Sequence, residues 1–383
     1  MSAISPEQDS LFTIDKISTP WEGAVAKRIN FERCFIPHPS KSRNVSPDMC
    51  TPETGFPKMH RAFGRALVFD PTMFDLRIYP FQELIHRSWR PGTKNFVRFS
   101  PTINLGTSLY DFIYDRGGPE LNDLRGERAK EVRDQLDRCV FACNTLQTGF
   151  IRGNGFVIAQ PVPGVDAKPS LICKPPDAPG MYDHSYVPLD GMYDVIYLAP
   201  NPRVEQLAIS DNMPVQPIDD EGTLAICSPR ILCNRKPLSA GEVPFHPNPK
   251  DPNDPESGKG TIGNQVNWNP ATTCTSFTAF GITDDCQIVA VSMFEGAQIG
   301  DVSTNRGVLA CEMGCLLAEL GAVDGVLGGG SADTQQYMDA DCRGMPRLLA
   351  APPRPKRAEE AAKGEVEGPR GLGAIFAVLL KDA

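Results

Sequence analysis

The 383-residue chain has no run of about 18 apolar residues, so no segment offers the uninterrupted hydrocarbon length that a membrane-spanning helix requires. Its longest apolar stretch, Ile375 to Leu380, has the length of a strand. Basic residues are nowhere gathered into a block. The densest group is Arg354, Lys356 and Arg357, and 38 Lys+Arg against 47 Asp+Glu leave a net charge of −9. Nucleic acid is disfavoured as a partner, because phosphate binding needs a positive footprint. The opening MSAISPEQDSLF lacks a basic region followed by an apolar one. The expectation is a soluble, cytoplasmic chain with no membrane partner. No C-x-x-C pair occurs, and the five histidines (38, 60, 86, 184 and 246) stand away from the paired cysteines. Zinc needs clustered thiolates and imidazoles, so no metal is expected. The cofactor and the oligomeric state stay unspecified.

What is abundant is punctuation. The chain carries 34 glycines and 36 prolines, together well above the roughly 12% usual for these two types. That excludes a helical bundle or coiled coil and predicts many short elements joined by turns. The 12 cysteines, scattered through a large chain, read as reduced core residues. The i,i+4 pairs Cys139/Cys143 and Cys311/Cys315 read as helix faces that pack.

Residues 1–60, rich in Pro, Ser and charge, read as an irregular N-terminal arm, and 61–383 as the folded domain. A hairpin-like unit is expected at 65–79, with a turn at Pro71. Pro119 to Cys143 keeps helical spacing at Leu121, Leu124, Val132, Leu136, Val140 and Cys143. Short strands follow at 194–198, 224–226 and 230–233, then a long polar loop at 244–270. The most regular stretch is a strand at 277–282, a turn at Thr283–Asp285, and a strand at 287–294. After it come a helix from about Arg306 to Gly321, capped at Thr304 or Asn305, and a short strand at 323–327. A charged Ala/Pro loop at 350–369 precedes a last strand at 373–380. The class is α+β: a strand-rich mixed sheet core with a few packed helices.

The sharpest chemical feature is the strand followed by Gly328-Gly329-Gly330-Ser331-Ala-Asp333-Thr334. Consecutive glycines let backbone N–H groups converge on an anion such as phosphate, with Ser331 and Thr334 adding hydroxyls; a tight turn without ligand has the same spacing. It is neither a P-loop nor a Rossmann fingerprint, and no G-x-S-x-G elbow occurs. Glu295, Asp301, Glu312, Asp324 and Asp333 are the carboxylates near this stretch, with Glu312 read as a surface residue. Arg370, ahead of the last strand, could hold phosphate bidentately or form a surface ion pair.

The order of these features resembles the phosphodiester glycosidase family. Thr278-Ala-Phe-Gly-Ile282, the hairpin, and Leu-Ala-Glu-Leu-Gly-Ala-Val-Asp324-Gly-Val-Leu327-Gly-Gly-Gly-Ser331 carry the resemblance. Similar, too, are Leu224-Ala-Ile-Cys-Ser-Pro-Arg-Ile-Leu-Cys-Asn234, Pro369-Arg370-Gly-Leu-Gly-Ala-Ile-Phe and, more weakly, Ala142-Cys-Asn144. The resemblance is strong over about 271–338 and scattered over 60–383. It implies hydrolysis of a glycosyl–phosphate bond in a sugar-1-phosphodiester. Phosphate would be cradled by Gly328, Gly329, Gly330, Ser331 and Arg370, the substrate oriented by Thr278 and Asn144, and Asp333 would serve as the carboxylate. Phe277 stands where the family has Arg, Leu327 where it has Asp, Thr-Leu-Gln-Thr where Gly-Gly-Phe-Phe follows the Asn, and Ala374 where it has Asn. Arg306 and Asp333 are the candidates to replace the missing charges. Two other classes fit the same sequence: a biosynthetic enzyme of altered chemistry, and a non-catalytic carbohydrate-binding or structural protein on this fold.

Overall fold

In the computed structural model the residues described are 11–35, 58–80, 108–114, 133–145, 157–159, 170–172, 191–210, 213–214, 224–228, 230–238, 275–295, 307–330, 334–340, 346–351, 372 and 374–382. Eight strands form one sheet in the order β1 (Phe12–Ile17), β2 (Ala24–Phe35), β3 (Lys58–Phe69), β15 (Ile288–Phe294), β14 (Phe277–Thr283), β16 (Ala322–Gly330), β12 (Arg230–Cys233) and β13 (Lys236–Pro237). A five-stranded sheet runs β18 (Leu348–Ala350), β17 (Gln335–Met338), β5 (Cys139–Asn144), β19 (Ala374–Leu380), β4 (Phe74–Pro80). A six-stranded sheet runs β10 (Met213–Pro214), β9 (Arg203–Ser210), β8 (Gly191–Ala199), β11 (Leu224–Cys227), β6 (Val157–Ala159), β7 (Ser170–Ile172). The strand-rich class stands, but every ladder among the described residues is antiparallel rather than mixed.

Alternation along the strands of the large sheet sorts side chains onto two buried faces. Phe277, Ala279, Val289, Val291, Met293 and Leu327 face helix α2 (Ala310–Glu319), which buries Met313, Leu316 and Leu317 against them. Phe280, Ile282, Ile288, Ala290, Leu67 and Phe69 face the other way, into a core shared with Phe141 and Phe376 of the five-stranded sheet and Ile196 and Ile226 of the six-stranded one. Phe280 meets Phe376 edge-on, centroids 5.6 Å apart, a favourable aromatic geometry. The outer face of the five-stranded sheet is covered by the short helix α1 (Leu109–Tyr114), through Leu109 and Phe112.

Several sequence expectations are corrected. Residues 12–35 are strands β1 and β2, not an irregular arm; their apolar/polar alternation was hidden by the Pro- and Ser-rich composition around them. The two runs expected as a hairpin at 65–79 do not pair. β3 lies between β2 and β15, whereas β4 pairs with β19, and a 3-10 turn over Pro71–Met73, capped by Asp70, carries the chain from one sheet to the other. Residues 139–144, the end of the expected 119–143 helix, form β5. They are apolar on both faces because Phe141 and Cys143 pack into the core shared with the large sheet while Cys139 and Ala142 pack under α1. Glu312 is buried, not on the surface: its carboxylate accepts the Leu309 N–H at 2.7 Å and caps the start of α2. Gly321, with φ 97°, ends that helix as expected. Thr304, Asn305 and the loops 244–270 and 352–369 lie outside the described residues.

Candidate functional site

A row of buried polar side chains crosses the inner face of the large sheet. Arg65 on β3 stands directly opposite Ser292 on β15, and Ser292 directly opposite Thr278 on β14. All three are fully buried. At the Arg65 end, the guanidinium donates through Nε to Gln336 Oε1 (3.1 Å) and through its terminal nitrogens to the carbonyls of Pro346 (2.8 Å), Arg347 (2.9 Å) and Gln336 (3.2 Å). The Gln336 amide returns a bond to the Arg65 carbonyl at 3.0 Å. A buried guanidinium thereby ties β3 to β17.

At the other end, the Thr278 hydroxyl donates to Asn144 Oδ1 at 2.7 Å. A hydroxyl has a single proton, so Ser292, 3.0 Å from Thr278 Oγ1, is the donor of that second bond. The Gln335 N–H also donates to Asn144 Oδ1, at 3.1 Å. Two donors converging on one atom fix it as the amide oxygen, which leaves Asn144 Nδ2 as the outward donor. Among the described residues Nδ2 has no hydrogen-bond partner, and neither does the hydroxyl of Thr334, next along the chain from Gln335; both side chains are fully buried. An unsatisfied buried polar group costs about 1–3 kcal/mol.

The glycines follow on the next strand. The expected glycine turn is instead the end of β16, which continues to Gly330. Pairing runs Ala279 with Leu327 and Phe277 with Gly330, with an irregularity between. Gly328 and Gly329 thus stand together opposite Thr278, a bulge that frees backbone groups from the ladder. A Cβ on Gly328 would lie 2.9 Å from the Thr278 carbonyl oxygen and 3.3 Å from that of Thr145, and one on Gly330 would lie 2.6 Å from the Phe277 ring. Only glycine fits this close approach.

Of the residues singled out from sequence, the structure brings Asn144, Thr278 and Gly328 together and places Gly329 and Gly330 beside them. Ser331, Asp333, Arg306 and Arg370 lie outside the described residues. Phe277 and Leu327, which replace the charges of the resembled family, are buried on the opposite face, against α2. Asp324 forms an ion pair with Arg230 and accepts the Asn234 N–H at 3.0 Å, so its carboxylate is held in place structurally. Sequence reasoning missed Arg65, Ser292, Gln335 and Gln336. Arg65 shares a strand face with Leu67 and Phe69, and that alternation was the available signal.

Burial pushes the Cys139 thiol up to about 12 and raises Cys143 well above its ordinary value; neither β5 cysteine is poised as a nucleophile. Burial, with Asp339 nearby, pushes Tyr337 up to about 12. No group of three or more His, Cys, Asp or Glu among the described residues is placed to hold a metal, and none of their helices is long and apolar enough to cross a membrane.

Fold and site together define a strand-rich, antiparallel α+β protein with a polar row buried between two sheets. No protein-family model matches the chain, and no curated protein does. Among solved structures, the zebrafish N-acetylglucosamine-1-phosphodiester alpha-N-acetylglucosaminidase catalytic domain, auto-inhibited by its pro-peptide, is similar at 10% identity and TM-score 0.45, over 97% of this chain and 89% of that one. A Burkholderia pseudomallei K96243 protein described as exported is similar at 10% identity and TM-score 0.46, covering 97% of each chain. A hypothetical protein from Synechocystis gives 11% identity and TM-score 0.37, over 96% of this chain and 64% of that one. These are weak likenesses of fold and carry no functional argument.

Proposed function

We propose that the buried polar row opens onto a substrate site and that the protein hydrolyses a glycosyl–phosphate bond in a sugar-1-phosphodiester. The observation that supports this reading is the meeting of Asn144, Thr278 and Gly328. The first two are 134 residues apart in sequence. The family resemblance assigned all three to substrate contact, and they meet beside a donor and a hydroxyl that no described residue satisfies. In this reading Asn144 Nδ2 and the Thr334 hydroxyl bond sugar hydroxyls, and Thr278 fixes the Asn144 amide. Water attacks the anomeric carbon and gives its proton to the Asp333 carboxylate. The bond from that carbon to the phosphate oxygen breaks, and its electron pair leaves on a phosphate monoester. Ser331, Arg370 and the backbone of Gly328–Gly330 hold the phosphate, and Arg306 supplies positive charge where Phe277 has none. A phosphate leaving group departs as an anion, so the main demands are oxocarbenium stabilisation and anion binding.

A second reading, a carbohydrate-binding protein without turnover, is favoured by the apolar burial of Phe277 and Leu327 in place of the family charges. Incubation with a panel of sugar-1-phosphodiesters, followed by phosphorus NMR and mass spectrometry, separates the two. Hydrolysis releases free sugar and a phosphate monoester, and Asp333→Asn and Arg370→Ala abolish it. Saturable binding without products establishes the second reading. Absence of both binding and products across the panel overturns the two together.

A further inference from the structure

A different feature lies at the far end of β14, five residues or about 17 Å from Thr278 and on the α2 side of the sheet. There a recess of 470 Å³ is lined by Lys16, Val25, Lys27 and Val68, by Thr283, Asp284, Asp285 and Gln287 of the turn, and by the Leu320–Gly321 end of α2. That volume falls within the range of small-molecule pockets.

Its cations are arranged unfavourably. Lys16 and Lys27 are direct cross-strand partners of β1 and β2, and like charges placed opposite one another on a sheet destabilise it. Among the described residues neither lysine takes part in an ion pair. Burial, and then the charge of Lys16, lowers the Lys27 pKa. Two carboxylates also line the recess: Asp284, paired with Arg235, and Asp285, which accepts the Thr283 hydroxyl, so among the described residues two lysines stand against one carboxylate without an ion pair. The last turn of α2 is closed on itself, with the Leu320 and Gly321 N–H groups on the carbonyls of Leu316 and Ala318, and Glu319 is not among the lining residues. Beside the lysines, Val25, Val68 and Leu320 give the recess an apolar wall. The left-handed backbone at Cys286 (φ 60°) and Gly321 (φ 97°) fixes tight turns at its rim.

We propose that this recess binds a small organic dianion, of the phosphate monoester class, bridging the ammonium groups of Lys16 and Lys27 with its apolar part on Val25, Val68 and Leu320. Paired lysines on neighbouring strands suit two negative charges on one group, and ligand charge relieves the repulsion between them. The inference does not rest on the reading of the Asn144 site.

Amide NMR at low salt tests it, with phenyl phosphate, inorganic phosphate and phenol as probes. Phenyl phosphate is expected to shift signals from residues 25–27, 283–287 and 320–321 saturably. Inorganic phosphate should bind at least several-fold more weakly, and phenol should not saturate. Lys27→Gln should weaken phenyl phosphate tenfold or more. Lys16→Gln, on an exposed side chain of the edge strand, gives the same direction of change in a variant that keeps the buried face intact. Phenyl phosphate binding unchanged in both variants, shifts that map to other residues, or no saturation at millimolar probe overturns the proposal.

Discussion

The two ends of the buried polar row both reach β17 yet treat their hydrogen bonds differently. At the Arg65 end, guanidinium and Gln336 amide interlock, and no buried side-chain atom of either residue lacks a partner. At the Thr278 end, Asn144 Oδ1 is doubly bonded while its Nδ2, and the Thr334 hydroxyl beside it, find no described partner. A satisfied network between sheets rigidifies the seam, whereas a half-satisfied one destabilises it. The first end is architecture; under the proposed function the second is recognition, and the first holds it in place, because β17 carries both Gln336 and Gln335.

Breaking the architectural end should have the largest effect. Arg65→Met leaves the Gln336 side chain and three carbonyls without their donor, and an expected loss of about 3–5 kcal/mol follows, measured by urea unfolding. If Arg65→Met lowers stability by no more than about 1 kcal/mol, the seam does not depend on this cation. Gly330→Ala comes next. Its Cβ would meet the Phe277 ring at 2.6 Å, so overpacking of about 1–3 kcal/mol is expected, with Phe277→Leu in the same chain restoring part of it. A smaller, kinetic effect concerns β5. Thiolate is the reactive form, and the Cys139 pKa near 12 together with the raised Cys143 leaves almost none at pH 8. Iodoacetamide should therefore label exposed Cys286 in minutes and spare both β5 thiols, whereas in Arg65→Met their labelling should accelerate as the seam opens.

Much of the sheet was legible because its signals are local. Strands 277–283 and 288–294 announced themselves by two apolar runs flanking Thr283–Asp285, and α2 by its terminal Gly321. What was not legible depends on partners distant in sequence. Cys139–Asn144 fits a helix and a doubly buried strand equally well until β17 and β19 are known to flank it. Glu312 reads as a surface residue until its carboxylate is seen on the Leu309 N–H. The glycines at 328–330 suggested a turn, whereas a bulged strand uses them for close approach to β14 and β5. Thr278 and Asn144 were found through motif order, while Arg65 and Ser292, their neighbours in the same row, belong to no motif. Only strand register brings them there.

The smallest expected change is the one that tests the comparison most directly. Thr334→Val keeps the side-chain shape and removes a buried hydroxyl that has no described partner. In the empty protein this should leave stability unchanged or raise it by up to about 1 kcal/mol, the opposite sign to Arg65→Met. The same substitution should abolish the rise in melting temperature caused by a bound sugar phosphodiester, because the hydroxyl would then be missing from the ligand's contacts. A Thr334→Val variant that loses as much stability as Arg65→Met would mean that the hydroxyl is already satisfied within the fold. The two ends of the row would then be alike, and the case for a ligand at Asn144 would fall with the difference between them.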